Sequence, residues 1–170
     1  MIVVSDATPL NALVRIGEVE LLRELFHTVL VPKAVFDEPT RPETPAVVRD
    51  WVLAKPAWIE GDSIRGIRGP SKSGGGSLAN AEATPYNLSR CPMSHADLLL
   101  LLVDDKKARA VARRLGLRIT GTIGVLELGA ELGHIHLQQV FDRLRRTDFE
   151  VSEEILQSAL ARASRRDAGS

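Results

Sequence analysis

Six consecutive apolar residues, Leu98 to Val103, run directly into the paired acids Asp104 and Asp105. The run is far shorter than the roughly 20 residues a membrane helix needs. It has the length of a strand, and a strand without alternating polar residues is one covered on both faces, as in a parallel sheet between helical layers. This segment therefore constrains the fold to the α/β class.

The rest of the chain supplies matching pieces. Ile2-Val3-Val4 is a second short apolar strand, ending at Ser5-Asp6. Thr28 to Val31, a stretch around Trp58-Ile59, and Leu117 to Thr120 read as further short strands. Between them apolar residues recur at helical spacing: Leu10 to Phe26 as two helices divided by Gly17, then a segment from Thr44-Pro45 to about Ala54. A short helix after Pro32 is expected to end before Pro39. Lys106 to Leu115 forms a basic helix stopped by Gly116, and Gly121-Thr122 introduces another that Gly133 stops. Two amphipathic helices, near Leu137 to Arg146 and Ser152 to Ala161, finish the domain, and 164–170 reads as a frayed polar tail. The expected architecture is an α/β three-layer sandwich with a central, mainly parallel sheet flanked by helices.

A length of 170 residues suits one domain, taken as 1–160. Its 44% hydrophobic and 26% charged residues are ordinary globular values and exclude a disordered chain. Lys plus Arg and Asp plus Glu both total 22, so only local patches can attract a polyanion. The single cysteine, Cys91, has no partner for an internal disulfide, and the N-terminus lacks the features of a signal peptide. A cytoplasmic protein without a membrane segment is expected. One stretch departs from this pattern: 62–94 is rich in Gly and Pro, shows little periodicity, and is expected to be atypical or disordered.

In parallel α/β sheets ligands gather at the carboxyl ends of the strands. Asp6 and Asp104, with Asp105 beside it, stand at two such ends. Neighbouring strands lie about 4.8 Å apart, close enough for their terminal carboxylates to share a cation. Oxygen-only donors favour Mg²⁺ or Mn²⁺, and a hydrated cation held this way polarises a phosphodiester and activates water. Each acid also has a simpler reading, since an Asp between a strand and a helix is a common N-cap and favours the helix's positive end.

The segments VVSDATPLNALVRIGEVELLRELF, VPKAVFDE and LLLVDDKKARAVARRLGLRITGTIGVL, with the trailing helices, resemble a bacterial and archaeal subfamily of PIN-domain proteins. The resemblance covers about 1–60 and 95–160. It implies a PIN-like fold and Mg²⁺- or Mn²⁺-dependent ribonuclease activity. Many relatives are toxins of the VapC type, inhibited by a small antitoxin protein, and PIN proteins often dimerise. Carried over by motif, Asp6, Glu38 and Asp104 match the family's site acids, with Asp6 and Asp104 on the metal. Thr8 matches a Ser/Thr that supports the first aspartate, Asp105 lies close behind Asp104, and Thr122 sits in the Gly-Thr turn near the site. The subfamily's helix bearing a further glutamate is replaced here by GGGSLANAEATPYNLSRCPMSHADLL, where Glu82 is the only acid between Asp62 and Asp97. Pro85 and Pro92 disfavour a continuous helix there, each costing about 3 kcal/mol in a helix interior.

Lys106, Lys107 and Arg109 head the strongest basic cluster, continued by Arg113, Arg114 and Arg118. They read either as a guide for RNA or as a solvated helix face. His134 and His136 have no third ligand within sequence reach for zinc. The preferred reading is a metal-dependent endoribonuclease, the toxin of a toxin–antitoxin pair and a homodimer. The alternative is a catalytically impaired PIN-like module that binds RNA or a partner.

Overall fold

The computed structural model describes residues 2–27, 29–31, 44–54, 56, 58–61 and 99–167. Five parallel strands form one sheet: β1 (Ile2–Ser5), β2 (Val29–Val31), β3 (Ile59–Gly61), β4 (Leu99–Leu102) and β5 (Arg118–Thr120), in the order β3-β2-β1-β4-β5. The short helix expected after Pro32 and the Gly/Pro-rich stretch 62–94 lie outside the described residues. Seven described helices accompany the strands: α1 (Ala7–Arg15), α2 (Glu20–Phe26), α3 (Ala46–Ala54), α4 (Lys106–Arg114), α5 (Thr122–Glu131), α6 (Leu137–Leu144) and α7 (Glu153–Asp167). The α/β architecture expected from the apolar runs is the one observed.

Side chains alternate across a strand, and β4 shows what a continuous leucine run does with that alternation. Leu100 and Leu102 enter a large core with Val3, Val29 and Val31, where Leu10, Leu13, Leu22, Leu126, Phe141 and Leu156 bring in α1, α2, α5, α6 and α7. Leu99 and Leu101 face the other way with Val4 and Val103, covered by Ala112 of α4 and by Leu117. Both faces are thus occupied, which is why no polar residue interrupts the run.

The stops of α1, α4 and α5 share one device. Gly17, Gly116 and Gly133 have φ of +75°, +70° and +78°. In each case the next residue's N–H reaches back to a carbonyl of the last turn: Glu18 to Leu13, Leu117 to Ala112 and His134 to Gly129. Glycine takes this left-handed conformation without steric penalty, so three helices end where the sequence places it.

Helix α7 runs through Asp167, into the stretch expected to fray. The reason is non-local: Arg162 donates to Glu127 at 2.8 Å and Arg166 to Glu131 at 2.5 Å, two rungs spaced one turn apart on both α7 and α5. At the start of α7, Arg145 donates to both oxygens of Glu153, and that bonding holds the Glu153 carboxyl below the usual carboxylate range. Arg143 bridges α6 to the turn after α1, donating to the Ile16 carbonyl at 2.8 Å and to Glu18. His134 lies 3.1 Å from Glu24. Among the described residues no helix is long and apolar enough to cross a membrane.

Candidate functional site at the carboxyl edge of the sheet

The chain leaves β1 to build β2 and β3 on one side, then returns to place β4 and β5 on the other. This reversal opens between β1 and β4, the place where open α/β sheets bind ligands. Pairing here runs Ile2↔Leu99 to Ser5↔Leu102, and the Asp6 N–H continues it to the Leu102 carbonyl at 2.9 Å. Asp6 follows β1 directly and Asp104 stands two residues beyond β4, so both lie at the carboxyl ends of adjacent strands.

The two acids are half-buried and held differently. Asp6 occupies the N-cap position of α1 with extended backbone, yet its side chain makes no capping hydrogen bond to that helix. The simple capping reading does not describe Asp6. Asp104 is fixed by the first residue of α5: the Thr122 N–H donates to Oδ1 at 2.9 Å and the Thr122 hydroxyl donates to Oδ2 at 2.6 Å. Thr122 is wholly buried. An ionised carboxylate has about four lone-pair sites, so these two bonds leave acceptor capacity on both oxygens.

Asp105 does cap a helix, accepting from the Ala108 N–H at 2.8 Å at the start of α4. Thr8 is exposed on the first turn of α1. Glu38 and Glu82 lie outside the described residues. Lys106, Lys107, Arg113 and Arg114 are exposed on α4, and among the described residues none of them forms an ion pair. By contrast Arg15, Arg143, Arg145, Arg162 and Arg166 are matched with carboxylates. Arg109 does not share the exposed face of Lys106 and Lys107. It is half-buried, and its Nη1 donates to the Val103 carbonyl at 2.9 Å.

Gly121 is a residue whose importance the sequence reading did not separate from its turn. A Cβ there would overlap Asp104 Oδ1, lie 2.8 Å from Arg109 Nη1 and 3.4 Å from the Val103 oxygen. Its φ of −133° is open to any residue, so the requirement is space alone. Gly121→Ala is expected to displace Asp104 from Thr122 and cost about 1–3 kcal/mol, the usual range for overpacking. Thermal or urea unfolding of the variant checks this.

The residues present suit a hard divalent cation. Among the described residues no group of three or more His, Cys, Asp or Glu assembles; Asp6 and Asp104 are acids that follow adjacent parallel strands. Mg²⁺ is commonly held by one or two carboxylates while keeping several waters, which is the donor set these positions offer.

The protein is defined by an all-parallel α/β sheet with acids just beyond the ends of two adjacent strands, β1 and β4, where the sheet order reverses. The chain belongs to the PIN-domain family, whose model matches residues 2–165 and whose members are typically nucleases. No curated protein and no solved structure matches the chain.

Proposed function

We propose that this protein is a Mg²⁺- or Mn²⁺-dependent endoribonuclease. The observation that carries the reading is the placement of Asp6 and Asp104 on adjacent strand ends at the sheet's switch point, in a chain of the PIN-domain family. Asp6 and Asp104 would hold the cation, and Glu38 is proposed as the third acid on its motif match. When bound, the cation supplies polarisation of the scissile phosphodiester and an activated water. Thr122 keeps Asp104 oriented by engaging both of its oxygens, a supporting contact of the kind that fixes ligand geometry. Lys106 and Lys107, at the end of α4 that starts beside Asp104, carry positive charge without an ion pair among the described residues and draw in the RNA backbone, with Arg113 and Arg114 further along the helix, an attraction that weakens with salt.

Within this reading the protein is the toxin of a toxin–antitoxin pair, a cytoplasmic homodimer restrained by a small antitoxin. Support for that part is the motif resemblance in SDATPL, VPKAVFDE and LLLVDD. Incubation of the purified protein with mixed RNA should give cleavage with Mn²⁺ or Mg²⁺ and background with EDTA. A folded protein that cleaves nothing in either metal would overturn the nuclease and leave a PIN-like binding module.

A further inference from the structure

Helical periodicity separates Arg109 from the other cations of α4. Lys106, Lys107, Ala110, Arg113 and Arg114 are exposed, whereas Ala108 packs against the smaller core and Ala112 is 1% exposed within it. Arg109 adjoins Ala108 and lies three residues before Ala112, so its stem starts on the inner flank of the helix. Its guanidinium turns back to the carboxyl end of β4, where Nη1 binds the Val103 carbonyl at 2.9 Å. The Val103 N–H is itself bonded to the Thr120 carbonyl at 2.9 Å, extending the β4–β5 ladder. The residue immediately before Asp104 is therefore held on both sides, by β5 through its nitrogen and by Arg109 through its oxygen. The same guanidinium and the Asp104 carboxylate both crowd the open face of Gly121.

We infer that Arg109 is a positioning residue for Asp104: it locks the Val103 peptide and closes over Gly121, so that Asp104 meets Thr122 in one orientation. This assigns Arg109 to the architecture of the acid site instead of the RNA surface. Its relevance to catalysis rests on the metal-nuclease reading, but the positioning itself does not. Supporting contacts around a metal ligand typically change metal affinity by 10–100-fold when removed.

The test compares Arg109→Met, Arg109→Lys and, from the exposed face, Lys107→Met. Hydrogen exchange of the Thr122 amide, which is bonded to Asp104, reads the positioning without metal or RNA. Exchange is expected to quicken at least tenfold in Arg109→Met, to recover partly in Arg109→Lys, and to stay at the wild-type rate in Lys107→Met. Mn²⁺ affinity by calorimetry should fall at least tenfold in Arg109→Met, and kcat should fall with KM for RNA within twofold. In Lys107→Met, KM should rise while kcat holds. Unchanged Thr122 exchange in Arg109→Met, or a rise in KM alone, would overturn the inference and make Arg109 an RNA contact. Should Arg109→Met fail to fold, the Thr122 amide of Arg109→Lys decides: protection equal to wild type, with altered KM, would overturn it. A wild-type protein that binds no Mn²⁺ would sink the metal-nuclease reading, while Thr122 exchange still decides the role of Arg109.

Discussion

Asp6→Asn is expected to lower metal-dependent RNA cleavage about a thousandfold, a loss of roughly 4 kcal/mol of transition-state stabilisation. The substitution keeps size and shape but removes the charge that neutralises a cation, and the amide presents only one oxygen. Stability should change little. The Asp6 side chain makes no capping bond to α1, and asparagine is itself well suited to an N-cap, so no capping bond is lost. A melting temperature within a few degrees of wild type, together with the loss of cleavage, would place Asp6 in the chemistry. Retention of cleavage within tenfold would remove it from the metal site and leave Asp104 without its proposed partner.

Phe141→Ala is expected to produce the opposite pattern, a large loss of stability at a position remote from the acids. Phe141 is among the largest fully buried side chains, on α6 in the main core beside Val140 and Leu144. Truncating such a ring costs about 3–5 kcal/mol through lost transfer energy and the cavity left behind. Against a typical total of about 5–15 kcal/mol, this removes a large share of the stability. For a chain of this size each kcal/mol is worth about 2–4 °C, so calorimetry should find a melting temperature lower by roughly 10 °C or more. Val47→Ala, at a position 51% exposed on α3, should shift it by no more than a degree or two.

Elements made by local rules were legible before any coordinates. The leucine run became β4, Gly17, Gly116 and Gly133 ended their helices, and Asp6 and Asp104 landed on strand ends as expected. What local rules do not carry is adjacency. Nothing in residues 2–5 says that β1 lies between β2 and β4, which is the fact that puts Asp6 and Asp104 beyond the ends of adjacent strands. The Thr122 clamp on Asp104 likewise depends on β5 pairing with β4. Arg109 shares the charge of its exposed neighbours, and its spacing of three from the buried Ala112 is the signal that its stem starts on the inner flank of α4. The length of α7 escaped because its support comes from Glu127 and Glu131 on another helix. Glu38 and Glu82 rest on the motif reading.

The central position of β1 has a consequence for the order in which the protein comes into being. Its edges are filled at different distances along the sequence, β2 by residues that follow it closely and β4 by residues far downstream. A chain emerging from the ribosome can pair β1 with β2 early, but Asp6 then faces an open sheet edge. Asp104 arrives only with β4, and its clamp only once Thr122 has been added. Contacts of such sequence separation form late because the intervening chain must be closed first. A nascent chain therefore carries only half of the proposed site until β4 and Thr122 have been made.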